Sequence, residues 1–143
     1  MELIDEGLVH LDVEASTKEE VISLLADSLD CEGRLEDRDQ YVLDVLDREK
    51  EFSTSIGFGV ATPHAKADSV RVASLGFARL ARPLLWGEDK VSMVFQIAVP
   101  LAEAGERHLQ ILASISRRLI HEDFCTRLAA AKTAKEVLEL LAE

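Results

Sequence analysis

Arg48-Glu49-Lys50-Glu51-Phe52-Ser53-Thr54-Ser55-Ile56-Gly57-Phe58-Gly59-Val60-Ala61-Thr62-Pro63-His64-Ala65-Lys66 is the stretch from which the rest of the chain is read. It opens on the charged end of a helix and passes through a hydroxyl-rich connection. Two glycines then lead into a short apolar segment that stops at Pro63-His64. Gly57 and Gly59 permit a tight turn or a close backbone approach. Val60 and Ala61 read as the end of a buried strand. Pro63 fixes its own φ and biases Thr62 towards an extended conformation, so His64 leaves a rigid strand end in a defined direction. A nucleophile is presented in this way, and a neutral imidazole is a competent one because its ordinary pKa lies near 7.

On the N-terminal side, residues 8–13 alternate as a strand, with Leu8, His10 and Asp12 opposite Val9, Leu11 and Val13. Ser16 or Thr17 forms a capping box with the acid three residues on, opening a helix whose apolar face runs to about Leu29, with Gly33 in the turn beyond. A second helix spans about 37–50 and buries Tyr41, Val42, Val45 and Leu46. On spacing alone, Arg48 in its last turn reads as a cation matched to the helix dipole, as an ion-pair partner of Asp44, or as a binding residue.

On the C-terminal side, residues 72–80 form a strand, and 82–90 a connection carrying one exposed-looking aromatic, Trp86. Residues 91–99 are almost continuously apolar, the pattern of a central strand, and Pro100 ends it. A helix over 106–120 places His108, Leu112, Ile115 and Leu119 on one stripe. His108 on that pattern is a core or rim histidine at the start of the helix. A short helix follows at about 123–130. Thr133 and Glu136 then cap a last helix that buries Val137, Leu138, Leu140 and Leu141. Strands interspersed with helices predict a mixed sheet covered on both faces, an α/β domain spanning residues 1–143.

Composition narrows the function. The chain has 143 residues, 48% of them hydrophobic, and a formal net charge of −11. Such acidity argues against a nucleic-acid partner and suits either solubility alone or a protein partner with a basic face. Apolar runs are too short to span a membrane, and the acidic start is unlike a signal peptide, so a cytoplasmic protein without membrane insertion is expected. Cys31 and Cys125 have no metal or redox spacing and read as ordinary thiols. The four histidines lack HxxxH or HxH spacing, so no metal is expected. Gly57-Phe58-Gly59 lacks the third glycine of a dinucleotide fingerprint and any Walker lysine. His10 and His121 default to packing or surface roles, and Lys66 to a solvated charge or a phosphate attractor.

The segment from Glu49 through Ile56-Gly57-Phe58-Gly59-Val60-Ala61-Thr62-Pro63-His64-Ala65 closely resembles the phosphohistidine signature of the EIIA domain of the bacterial sugar phosphotransferase system, in its mannitol/fructose class. Thr62 is the one departure, standing where that pattern has an aliphatic residue. Its hydroxyl therefore needs a hydrogen-bond partner. Trp86-Gly87, Ile97-Ala98-Val99-Pro100, Glu106-Arg107-His108-Leu109 and the closing helix are similar to further landmarks of the family. The resemblance implies a three-layer α/β/α sandwich with a small mixed β-sheet. It implies that His64 accepts and donates the phosphoryl group, with His108 and Arg48 as catalytic and phosphate-binding partners and Thr54 as a further phosphate ligand. It also implies phospho-HPr as donor, a cysteine of EIIB of a membrane sugar permease as acceptor, no cofactor, and a flat accessible surface around His64. Pro63-His64-Ala65-Lys66 and Trp86-Gly87 lean towards the fructose type. The alternative is a regulatory phospho-dependent binding module of the nitrogen-type EIIA kind.

Overall fold

The computed structural model describes residues 2–103 and 105–142. A 3-10 turn at Glu6–Leu8 leads into β1 (Val9–Val13), α1 (Lys18–Cys31) and α2 (Arg38–Glu51). Three short strands follow, β2 (Ser55–Gly57), β3 (Val60–Ala61) and β4 (His64–Ala67). Two long ones come next, β5 (Ser74–Trp86) and β6 (Asp89–Pro100), and then α3 (Arg107–Leu119), α4 (Glu122–Ala130) and α5 (Ala134–Ala142).

These strands form one mixed sheet in the order β1-β5-β6-β3-β2. The β5–β6 pair is an antiparallel hairpin, β1 lies parallel to β5, and β2 is antiparallel to β3. Both β3 and β4 run parallel to β6 along the same edge, β3 opposite Met93 and Val94 and β4 opposite 97–100. Burial from Val91 to Val99 is nearly complete, as the apolar run predicts for a central strand. On one face, Val21, Ile22, Leu25 and Leu29 of α1 and Tyr41 and Val45 of α2 pack against Ala78, Leu80, Leu84, Trp86 and Val94. On the other, Ile111, Ile115 and Leu119 of α3, Leu128 of α4, and Val137 and Leu140 of α5 cover Leu75, Phe77, Phe95 and Ile97. Helices on both faces of a mixed sheet give the expected three-layer α/β/α sandwich.

Caps set the helix starts. Thr17, not Ser16, caps α1, accepting from the Glu20 N–H at 3.2 Å, and Asp37 caps α2 through the Gln40 N–H at 3.1 Å. Three expectations need correction. The alternation in β1 breaks at Asp12, whose φ of 55° makes a bulge, so Val9 packs with α3–α5 while Val13 packs with α1 and α2. Residues 82–86 are strand rather than connection: β5 continues to Trp86, alternating Leu84 and Trp86 inward with Leu85 outward. Trp86 is therefore fully buried, not exposed. Last, His64 does not simply leave a strand end but opens β4.

A fully buried arginine, Arg34, follows the Gly33 turn. Its guanidinium donates to the carbonyls of Glu2 and Leu3 and to Ser74 Oγ, and it pairs with Asp5 and Glu32, fixing the N-terminal segment to the sheet.

Candidate functional site

The sheet edge beside β6 is shared by two collinear strands, and the site lies at their junction. Pro63 has no N–H to give to the ladder, while its carbonyl accepts from the Ile97 N–H at 2.9 Å. The chain therefore stays on β6 across the break between β3 and β4. Meanwhile the Thr62 carbonyl turns to His64, whose Nδ1 lies 2.8 Å from it. A carbonyl oxygen can only accept, so Nδ1 carries the proton and Nε2 is left with its lone pair.

His64 is 9% exposed and faces an open cleft of about 450 Å³ lined by Asp44, Asp47, Arg48, Glu51, Ala65, Lys66, Ala67 and His108. Burial lowers the His64 pKa below its ordinary value. The charges of Arg48 and His108 add to that, and the Thr62 carbonyl and Glu49 oppose it.

Arg48 reaches the cleft from the last turn of α2. It makes no ion pair with Asp44, whose carboxylate accepts instead from Ser69 Oγ at 2.7 Å and Gln40 Nε2 at 2.9 Å. One guanidinium nitrogen of Arg48 donates to the Phe52 carbonyl at 3.0 Å, which anchors the fork at the helix end. His108 is the second residue of α3, and its ring stacks near that of His64 with centroids 6.0 Å apart and planes at 28°. Its Nδ1 is buried without a hydrogen-bond partner among the described residues, and Nε2 lies 3.7 Å from Glu106 Oε2. Lys66 donates to the Gly105 carbonyl at 2.9 Å and so ties β4 to the loop before α3.

The fold thus brings Arg48, His64 and His108 together from α2, β4 and α3. Thr54 lies elsewhere. It is 4% exposed, absent from the cleft lining, and its hydroxyl donates to the buried carboxylate of Glu49. Its hydroxyl proton is committed to Glu49, and the fold does not bring it to the cleft with the other three residues. Reading the sequence missed the role of Glu49 as a buried hub, which also accepts from Trp86 Nε1 at 3.2 Å and from the Thr54 N–H at 3.2 Å. An acid opening the family signature at the end of α2, with a lone tryptophan needing an acceptor for its N–H, was the available signal. The Thr62 hydroxyl has found its partner in the Thr54 carbonyl at 3.3 Å.

A three-layer mixed sandwich with two imidazoles and a guanidinium on one open cleft defines the class of small phosphotransfer domains. The chain belongs to the family described as phosphoenolpyruvate-dependent sugar phosphotransferase system, EIIA 2, whose profile matches residues 2–143. It is 41% identical over 139 residues to the PTS system fructose-specific EIIA component of Haloferax volcanii, covering 95% of this chain and 90% of that one. It also matches Multiphosphoryl transfer protein 2 of Escherichia coli K12 at 31% identity over 97% of its own length, but spans only 17% of that longer protein. Among solved structures, Nitrogen Regulatory Protein IIA-Ntr from Neisseria meningitidis superposes with a TM-score of 0.88 at 26% identity, covering 97% of this chain and 96% of that one. The enzyme IIAMtl of Escherichia coli, solved in complex with phosphorylated enzyme IIBMtl, gives a TM-score of 0.84 at 31% identity and covers 97% and 96%. The chain is accordingly a phosphotransferase component of this system. Among the described residues, no helix is long and apolar enough to cross a membrane.

Proposed function

We propose that His64 Nε2 accepts a phosphoryl group from phospho-HPr and passes it to a cysteine of a fructose-type EIIB, so that residues 1–143 act as one EIIA domain in the cytoplasm. The observation that carries this reading is the 2.8 Å contact between Nδ1 and the Thr62 carbonyl, which leaves Nε2 as the nucleophilic nitrogen.

In the first transfer, an N–P bond forms at Nε2 as the bond from phosphorus to the donor imidazole breaks. In the second, the acceptor thiolate sulfur bonds to phosphorus and the lone pair returns to Nε2. The protein supplies position and charge. Arg48 offers its remaining N–H groups to the equatorial oxygens, and its charge persists at any working pH. His108 donates to a phosphoryl oxygen. The 41% identity to a fructose-specific EIIA supports the sugar class, and the structure of a IIA–phosphorylated IIB complex supports the acceptor.

The test is transfer from phosphoenolpyruvate through Enzyme I and HPr, followed by intact mass. An acid-labile, base-stable adduct of one phosphoryl group is expected, and it disappears in His64→Ala. Arg48→Ala and His108→Ala retain the adduct but form it on the order of a hundredfold more slowly. A His64→Ala protein that still carried phosphohistidine would sink the assignment. Similarity to the Neisseria nitrogen regulatory protein favours a second reading, a phospho-dependent regulatory module. Chasing the adduct with a fructose-type EIIB separates the two, because a regulator retains its phosphoryl group.

A further inference from the structure

A continuous chain of hydrogen bonds links the hairpin end of the sheet to the His64 ring. Trp86 Nε1 donates to Glu49 Oε2, which also accepts from the Thr54 N–H, while the Thr54 hydroxyl donates to Glu49 Oε1. The Thr54 carbonyl in turn accepts from both the N–H of Thr62, at 2.9 Å, and its hydroxyl, at 3.3 Å. The Thr62 carbonyl then accepts from His64 Nδ1. Every side chain in this chain is at least nine-tenths buried: Glu49 is 5%, Thr54 4%, Thr62 2% and Trp86 0% exposed. Glu49 itself does not line the cleft.

We propose that Glu49 is a positioning residue for phosphoryl transfer: with Trp86 and Thr54 it fixes the Thr62 carbonyl, and that carbonyl holds His64 in the tautomer with Nε2 unprotonated. This rests on the reading of His64 as phosphoryl acceptor. The physical case is that a lone peptide between two strands, next to a proline, has freedom to rotate unless its partners prevent it. Thr62 donates twice to one carbonyl, and the residue bearing that carbonyl is gripped twice by one carboxylate. Removing the carboxylate leaves the Thr54 N–H, the Thr54 hydroxyl and the indole N–H unsatisfied together in a dry interior. The peptide then loosens, the imidazole samples both tautomers, and part of the population presents a protonated Nε2 that cannot attack. Misplacing a reacting group costs between about tenfold and a hundredfold in rate.

The Thr62 hydroxyl adds to this hold. An aliphatic residue there would leave only the backbone half of the contact to Thr54, so this chain carries an extra hydrogen bond at the position that sets the tautomer.

The test compares Glu49→Leu, Glu49→Gln and Thr54→Val, each in the full chain, by two readouts. The first is the 15N chemical shifts of the His64 ring in the unphosphorylated protein, which report the tautomer without any activity. The second is the single-turnover rate of phosphorylation by phospho-HPr. Glu49→Leu is expected to mix the tautomers and slow transfer at least tenfold. Glu49→Gln should restore both, since its carbonyl can accept from Trp86 and Thr54 N–H while its amide donates to the Thr54 hydroxyl. Thr54→Val should fall between. Wild-type ring shifts and rate in a folded Glu49→Leu protein would overturn the proposal. Should Glu49→Leu fail to fold, the same two readouts on Thr54→Val decide, and wild-type values there overturn it equally. Slowed transfer with unchanged ring shifts would also overturn it, whereas phosphohistidine persisting in His64→Ala would count against the acceptor itself.

Discussion

A histidine sunk to nine-tenths of its surface holds its proton less well than one in water, and at His64 the sign has two consequences. The unfolded chain titrates near 6.5, while the folded ring titrates lower, chiefly because burial penalises the charged form. Between those two values the unfolded state binds a proton that the folded state refuses, so stability falls as pH drops below about 6.5 and levels off below the folded pKa. His10, whose pKa is also lowered by burial, adds a term of the same sign. The nucleophile, by contrast, is protected. Its phosphorylation rate at a fixed concentration of phospho-donor is expected to stay level as pH falls through 6.5 and to decline only below that, as a stopped-flow pH series would show. Urea unfolding of His64→Ala should lose less stability between pH 7.5 and 5.5 than the parent protein does. A rate that halves at pH 6.5 would mean the ring is solvated rather than buried.

Elements were legible where their signals are local. The capping boxes at Ser16 or Thr17 and at Thr133 lie next to the helices they start, and the continuity or spacing of apolar residues marks β6, α1, α2, α3 and α5. What escaped needed information from afar. β4 is four residues, His64-Ala65-Lys66-Ala67, with no apolar pattern of its own, and it is a strand only because β6 offers an unpaired edge. The outer half of β5 was hidden because Arg82 and Pro83 sit where it is exposed, and Trp86 looked like a surface ring until the Glu49 carboxylate was found beneath it. Arg34 gave no sign that it would be buried whole. At the site, His64, Arg48 and His108 were found through a family signature, since no local rule brings α2, β4 and α3 to one point. The β5–β6 hairpin turn makes its own prediction. Gly87 has a φ of 65°, and a Cβ there would come within 2.8 Å of Ser53 Oγ and 2.9 Å of Ser53 Cβ. Gly87→Ala is expected to cost about 1–3 kcal/mol in urea unfolding, from the left-handed backbone and the displaced serine. Because Ser53 adjoins Thr54, the same substitution should also slow phosphorylation, whereas a purely local defect would leave the rate of the folded protein unchanged.

For the molecule as a whole, the relevant quantity is the field around the cleft. The chain carries 27 acidic against 16 basic residues, and Asp44, Asp47 and Glu51 stand on the cleft wall beside Arg48 and Lys66. Such a surface repels a bare phosphate and attracts a partner whose own site is ringed by cations, so the phosphoryl group is expected to arrive on a protein rather than from solution. The bimolecular rate of transfer should fall as salt rises from about 0.05 to 0.5 M, since the Debye length shrinks below the reach of the rim charges. Neutralising Asp47 and Glu51 together should lower the low-salt rate several-fold and flatten its salt dependence. Equal slopes in parent and variant would place the steering charges elsewhere. One feature of the site lies beyond the reach of such substitutions. The group that chooses between the two ring nitrogens of His64 is a peptide carbonyl, and every amino acid at position 62 brings one. No single codon change deletes that acceptor. What can vary over descent is only the frame that aims it, so a lineage would lose this chemistry by degrees, through drift in stiffness, before it lost it outright.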